Sequence, residues 1–310
     1  MRISEFLEPS NDRSRILSDT TYAVQYCIDT GLVALDCTCS HCTGRMRLSK
    51  GGKYLNGMFY RCESCNSWKQ MLAGLLIGSP RISIDSYFLC IFKFLELSFE
   101  KDVIRNVNIS KSTYQKAKFN FNLFFKSEYA RNMQDKLGGS GVSIQVDETV
   151  IGHNNPSVCP SYLEDNYPGI VWLLGMIESG TGRIKFFIVP NRTAETFTSI
   201  FLEHVNAQTT IYTDGHLSYP RAVAAVNSTH RVVNHSTGFK TAGGFHTNNI
   251  ENLWSLLKYE VRRRRGVTMA SAKNFIYEFS FRYMHLRHRT PSSMCFAFRA
   301  LVEYLFNKST

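Results

Sequence analysis

The chain has 310 residues, of which 44% are hydrophobic and 20% charged, an ordinary globular balance with enough apolar material for a sizeable core. It carries 36 Lys and Arg against 25 Asp and Glu, and a formal charge of +11 favours a polyanionic partner over a basic or neutral one. The longest apolar stretch, near Tyr87 to Leu97, is interrupted by Lys93 and Glu96 and is too short to span a bilayer, and Met1 to Pro9 lacks the apolar region of a signal peptide. The expectation is therefore a soluble intracellular protein with no membrane partner, whose nine cysteines do not build a disulfide framework.

Residues 1–36 form an N-terminal segment with a short helix expected over Thr20 to Asp29. Residues 37–75 hold most of the cysteines. Cys39-x2-Cys42 and Cys62-x2-Cys65 are separated by 19 residues, the spacing of a zinc ribbon in which two chelating turns are joined by a β-hairpin. Arg45 to Leu48 and Met58 to Arg61 alternate in polarity, and Gly51-Gly52 and Asn56-Gly57 supply turns between them. Cys37 and His41 are rival ligands at the first turn. A structural Zn²⁺ on Cys39, Cys42, Cys62 and Cys65 is expected, because a catalytic zinc keeps an open position and usually uses histidine.

Residues 80–135 read as helical. An apolar face runs over Ser83 to Glu96, a second short helix is expected over Phe99 to Arg105, and Ser110 is a candidate N-cap for a third. In the third, Lys111, Gln115 and Lys118 share a polar face. The pattern is compatible with a helix-turn-helix whose Lys111 meets DNA, and equally with a helical linker bearing a solvated basic face.

Gly138-Gly139-Ser140-Gly141 reads as a flexible joint ahead of residues 140–310. Strands are expected over 142–151, Gly169 to Glu178 and Arg183 to Val189, with Ser179-Gly180-Thr181-Gly182 as a hairpin turn. A helix over Ala194 to Asn206, a strand over 209–213, a helix within 216–226 and a strand over His230 to Asn234 follow. Helices around Glu251 and over Ala272 to Leu286 complete the series. This order is that of an α/β, ribonuclease-H-like fold: a mixed five-stranded sheet with flanking helices, here preceded by the ribbon and the helical segment.

Three carboxylates stand out within that order. Asp147 ends the apolar-alternating run of the first strand, Asp214 ends the fourth, and Glu251 lies on the helix that follows the fifth. Neighbouring strand ends bearing aspartates, with a glutamate on a helix beside them, suit two divalent ions about 4 Å apart that flank a reacting phosphate. Each residue taken singly has a bland reading as a turn, cap or solvated side chain, and the placement of all three together is what favours a metal site. Glu148 is the rival to Asp147, but alternation turns it to the opposite face with Val146 and Val150. Ile250, Leu253, Leu257 and Val261 recur at helical spacing and should face the sheet, which leaves Glu251, Ser255, Lys258 and Arg262 as a polar stripe. Lys258 and the run Arg262-Arg263-Arg264-Arg265 are candidate phosphate contacts, with a solvated charge run as the alternative. His153, His216 and His246 are weaker candidates, and Trp254 is a core residue or a base-stacking one, with its phase beside Ile250 and Leu257 favouring the core.

The blocks Val146-Asp147-Glu148-Thr149-Val150-Ile151-Gly152, Tyr212-Thr213-Asp214-Gly215 and His246-Thr247-Asn248-x-Ile250-Glu251-x-x-Trp254-Ser255-x-Leu257-Lys258 resemble the Merlin superfamily of DDE transposases and its bacterial insertion-sequence relatives. Glu278-Phe279-x-x-Arg282-Tyr283 also looks like family sequence, and so does the ribbon ahead of the catalytic segment. The resemblance implies that Asp147, Asp214 and Glu251 ligate two Mg²⁺ or Mn²⁺, with Asn248 or Asn249 as alternative donors. It implies cleavage at terminal inverted repeats and joining of the 3′-hydroxyl ends to target DNA by a homodimer or larger assembly. Such a protein would be nuclear in a eukaryote and cytoplasmic otherwise. A DNA-binding regulator without catalysis and a nuclease acting on RNA–DNA hybrids are the alternatives.

Overall fold

The computed structural model describes residues 15–73, 75, 82–152, 170–233 and 248–307. The chain packs as two compact units, one running to Phe124 and resuming at His285, the other spanning Phe125–Met284. The segment 140–310 divides accordingly, since its last helix packs in the first unit.

In the first unit, α1 (Thr20–Asp29) is capped by Asp19, whose carboxylate accepts the Tyr22 amide at 3.1 Å. A four-stranded antiparallel sheet follows in sequential order: β1 (Asp36–Thr38), β2 (Arg45–Lys50), β3 (Met58–Cys62) and β4 (Trp68–Gln70). The hairpin expected between the two cysteine pairs is β2–β3, with one further strand on each side. Three helices come next: α2 (Ile84–Leu95), α3 (Glu100–Val107) and α4 (Lys111–Gln134), the last belonging to the second unit from Phe125 on. Asn108 ends α3 in the left-handed region at φ 55°, and the Ser110 hydroxyl accepts the Thr113 amide at 3.1 Å, the expected cap of α4. The three residues Asn108–Ser110 separate α3 from α4, and α4 at 24 residues is long for a recognition helix. The final helix of the chain, α9 (Pro291–Phe306), has Thr290 as N-cap and packs Phe298 edge-on to Phe88 of α2. It was not among the elements expected from the sequence.

The second unit holds β5 (Ser143–Gly152), β6 (Ile170–Glu178), β7 (Ile184–Val189), α5 (Ala194–His204), β8 (Thr210–Thr213), α6 (Tyr219–Ala225), β9 (Thr229–Val232), α7 (Asn248–Arg263) and α8 (Met269–Leu286). The sheet order is β7-β6-β5-β8-β9, with β5, β6 and β7 antiparallel and β8 and β9 added parallel to β5. This is the ribonuclease-H-like architecture that the order of elements predicts. Alternation along β5 splits the core between the two faces. Ile144 and Val146 meet Phe197, Phe201, Tyr219 and Val223 from α5 and α6. Ile151, with Leu173 and Phe186, meets Ile250, Leu253, Trp254 and Leu257 from α7, as the helical phase of those residues requires.

Two features differ in detail from the sequence reading. The glycine joint is pinned, not loose: the Gly138 amide donates to Glu178 at 2.7 Å and the Gly139 amide to the Thr209 hydroxyl at 2.8 Å. Gly138 has φ +78°, and a Cβ there would lie 2.3 Å from Thr209 Oγ1, so this glycine serves close approach. The arginine run is also partly internal. Arg264 donates to the buried Glu278 at 2.9 Å and Arg282 donates to it at 2.7 Å, so the run and the late block Glu278–Tyr283 meet in one ion cluster.

Burial alone would raise the Glu278 carboxyl, but Arg282 and Arg264 outweigh it and hold the group at about 2. Its folded value lies below its ordinary 4.5, so the cluster contributes stability that is full above that value and lost as pH falls toward 2. Glu278→Ala should cost roughly 3–5 kcal/mol, because it leaves buried guanidinium charge unpaired. In thermal melts the variant should also lose less of its remaining stability between pH 5 and 3 than the parent. A pH profile parallel to the parent's would show that the carboxylate does not hold this cluster.

Candidate active site

β5 and β8 run parallel with Ser143 level with Thr210, Ile144 with Ile211 and Gln145 with Tyr212. Carried two residues further, that register sets Asp147 level with Asp214, immediately past the end of β8. Beyond Gln145 the pairing of β5 continues to β6 alone, so the two carboxylates stand where β8 leaves the sheet. The β5–β8 register, not the spacing in the chain, creates the pairing of these acids: Asp147 lies in the middle of β5 and not at its end, because β5 runs on beside β6 to Gly152, while Asp214 lies just past β8.

Both oxygens of Asp147 accept hydrogen bonds. Oδ1 takes the Glu148 amide at 2.8 Å and Oδ2 takes the Trp254 indole N–H at 2.8 Å. Gly175 on β6 lies directly opposite Asp147, and a Cβ on it would lie 2.2 Å from Trp254 Cη2. Glycine at 175 therefore lets the indole lie flat enough on β6 to reach the aspartate. A second tie comes from Gln145, whose buried side-chain carbonyl accepts the Ile250 amide at 3.0 Å in the first turn of α7. Glu251 follows Ile250 in that turn, half-buried and one helical turn ahead of Trp254. The start of α7 is thus registered against β5 by Gln145 and by Trp254.

Two outcomes follow from this contact. Gly175→Ala cannot be relieved by a flexible neighbour, since the atoms it meets belong to a rigid indole ring, so α7 must shift and the variant should lose about 1–3 kcal/mol in denaturant unfolding. Trp254→Phe keeps the ring packing and removes only the donor; it should leave the melting temperature within a few degrees but lower any Asp147-dependent activity by roughly tenfold. Unchanged activity in Trp254→Phe would remove the indole from a positioning role.

Glu148 faces the other side of β5, as alternation predicts, yet it belongs to the same electrostatic site. Tyr219, buried at the start of α6, donates its hydroxyl to Glu148 Oε2. Burial pushes the Glu148 carboxyl up to about 7; the Tyr219 hydrogen bond and Arg192 oppose the rise, while Asp214 and Asp147 add to it. The Tyr219 phenol is raised by its burial and then by the same three carboxylates. Arg192 also lies 3.9 Å over the Trp172 ring. His216 donates its backbone amide to Asp214 Oδ1 at 3.0 Å. Gln145, Gly175 and Tyr219 carry no signal for the site in the sequence, whereas the phase of Trp254 beside Ile250 and Leu257 predicts that it faces the sheet.

The three expected metal-binding acids do not close into a chelating cluster in this structure. Among the described residues, Cys39, Cys42, Cys62 and Cys65 form the one group of ligand atoms close enough to hold an ion. Asp147 and Asp214 instead hold N–H donors, and Glu251 lies on the neighbouring helix. The donor set still fits hard divalent ions: carboxylate oxygens with further lone pairs available, one in the middle of β5 and one just past the neighbouring β8. Of the expected phosphate contacts, Lys258, Arg262, Arg265 and Lys111 are exposed. Arg263 and Arg264 are not: Arg263 donates to Glu260 at 2.9 Å, and Arg264 is held by Glu278, because the helix end turns them toward those carboxylates. His153 and His246 fall outside the described residues.

In the first unit the four thiols of the cluster lie within 4.8 Å of one another. Cys39 and Cys62 are buried, Cys42 and Cys65 exposed. The His41 amide points at Cys39 Sγ at 3.4 Å and the Cys65 amide at Cys62 Sγ at 3.5 Å, the donors that support thiolates in tight chelating turns. Neither Cys37, which lies within β1 opposite Met46, nor His41 has its ligand atom in the cluster. Four sulfurs in this arrangement suit tetrahedral zinc.

Residues 136–284 match the family of ISXO2-like transposase domains. The matched segment contains Asp147, Asp214, Glu251 and the Glu278 cluster, and it supports a transposase of the DDE class. No curated protein matches the chain in sequence. Similar solved structures include the HTLV-2 integrase catalytic core domain in complex with magnesium, in a dimeric form with 12% identity over 48% of this chain and 86% of that one, at a TM-score of 0.28. The trimeric form of the same domain has 14% identity over 51% and 94%, at 0.30. The simian T-cell lymphotropic virus intasome in complex with the PP2A regulatory subunit B56 gamma has 13% identity over 61% and 64%, at 0.30.

Proposed function

We propose that this chain is a DNA transposase of the Merlin type, which cleaves at terminal inverted repeats and joins the 3′-hydroxyl ends to target DNA. The observation that carries this reading is the level register of Asp147 and Asp214 on adjacent parallel strands, inside the segment matched by the transposase-domain family. In this reading Asp147, Asp214 and Glu251 hold two Mg²⁺ or Mn²⁺. Bound there, the ions would supply activation of the attacking oxygen and stabilisation of the leaving one.

The remaining residues bind and orient. Trp254 holds one Asp147 oxygen and so fixes its rotamer, while Gln145 sets the first turn of α7 and with it the approach of Glu251. Tyr219 holds Glu148 on the far face, where burial raises its carboxyl. Lys258 and Arg262 continue the stripe from Glu251 toward solvent, where they would meet phosphates beside the reacting one, and Arg265 and Lys111 would add phosphate contacts of their own. A structural Zn²⁺ on Cys39, Cys42, Cys62 and Cys65 orders the ribbon. A homodimer or larger assembly follows from the need to join two ends in one event, with the nucleus as its compartment in a eukaryotic host.

The test is strand cleavage and joining on labelled DNA carrying the element's inverted repeat, with Mg²⁺ and with EDTA. Cutting at the repeat end that requires the ion supports the reading. Specific binding with no cutting under any divalent ion would favour the regulator without catalysis.

A further inference from the structure

The outer face of the four-stranded ribbon carries an aromatic group that neither the thiol cluster nor the candidate active site uses. Tyr54 stacks on Phe59, with ring centroids 4.3 Å apart and planes at 21°. Trp68 lies 5.5 Å from Tyr54 and is 57% exposed. Gly51 allows the stack, since a Cβ there would lie 2.8 Å from both the Tyr54 and Phe59 rings. The register puts Arg61 directly opposite Trp68 and Phe59 opposite Gln70, so the rings and Arg61 share one face of β3 and β4.

Cations surround this group. Lys53 Nζ is 5.4 Å from the Tyr54 centroid, and Lys50 and Arg61 are exposed. Arg45 and Arg47 are neutralised by Asp36 and Glu63, whereas among the described residues Lys50, Lys53 and Arg61 make no ion pair. Between Arg45 and Gln70 there are six Lys or Arg and one acid, Glu63. An exposed tryptophan beside a stacked aromatic pair would be a liability on a face meant only for water. Ringed by unpaired cations, it has the two components of a single-strand platform: ring faces for bases and charge for the backbone.

We infer that the ribbon face of Trp68, Tyr54 and Phe59, with Arg61 and Lys53, binds single-stranded DNA by stacking unpaired bases on the rings. The partner class is nucleic acid because the residual charge is positive, and it is unpaired because a duplex stacks its base faces on one another and hides them from exposed rings. The inference rests on the DNA-directed reading above but does not require catalysis.

The experiment uses the full chain with zinc bound and measures fluorescence anisotropy on labelled oligothymidylate and on a duplex of equal length. Trp68→Ala should weaken single-strand binding by about tenfold and duplex binding by less than about twofold. Trp68→Phe should recover most of the loss. The Trp68→Ala ratio should persist when salt is raised, because stacking releases no counterions, while Arg61→Gln should lose its effect as salt rises. Zinc content and melting temperature confirm that the variants fold, and Trp68 is exposed enough for alanine to be tolerated. Equal loss on single strand and duplex, or no loss on either, overturns the proposal and leaves the face to a protein partner. Repeat-end cleavage is scored separately: its absence with the single-strand preference intact rejects the transposase reading and leaves this surface standing.

Discussion

Asp147→Asn and Asp214→Asn are each expected to lower metal-dependent strand cleavage by a factor of about a thousand or more, with duplex binding retained. Asparagine keeps the size and one acceptor oxygen of the side chain, so the His216 donor to position 214 still finds a partner, while at position 147 the oxygen can serve only one of the Trp254 and Glu148 donors. What is lost is the charge that binds a hard cation. Because both residues serve one site, the double variant should be barely worse than either single one. Glu251→Gln should behave in the same way if its carboxylate joins the other two, and it is the most informative of the three, since its group lies on the helix and not on the sheet. Wild-type cleavage in Glu251→Gln, with both aspartate variants dead, would move the third donor to Asn248 or Asn249. Wild-type cleavage in Asp214→Asn would falsify the metal site as drawn.

The second large effect is expected at the ribbon. Cys62→Ser should release the metal and unfold residues 37–75, seen as loss of stoichiometric zinc and as new protease cleavage within β2 and β3. The physical reason is size. The ribbon has four short strands, and the buried residues described within 37–75 are Cys39, Met46, Tyr60, Cys62, Met71 and Leu72, too little apolar area to order the segment alone. Structural zinc in such segments contributes on the order of 10 kcal/mol of folding free energy. Cys37→Ser should keep both zinc and protease resistance, because that residue lies in β1 outside the cluster. Protease resistance retained in Cys62→Ser after chelation would mean that packing, not the ion, holds the ribbon.

Some of this protein is written in local pattern. The paired CxxC turns identify the four sulfur ligands, because a chelating turn is a short-range feature and four like ligands at that spacing have few other uses. Period-two alternation in residues 143–152 and the helical phase of Ile250, Leu253 and Leu257 locate the strands and the core face of α7, since burial imposes one residue class on one side of each element. The strand order of the ribonuclease-H-like sheet follows from the order of elements, because few topologies connect such a series without crossing. Other features depend on contacts between residues far apart in the chain, and only the tertiary structure decides them. Asp147 and Asp214 are brought level by the β5–β8 register, the indole of Trp254 reaches Asp147 only because Gly175 leaves room on β6, and Gln145 caps a helix 105 residues away. Arg264 looks like one of four equivalent cations until Glu278 is found beneath it, and the glycines at 138–141 look like a loose joint until Glu178 and Thr209 are found holding them. In each case the side chain's role is set by its partner, and the partner's position is a property of the fold.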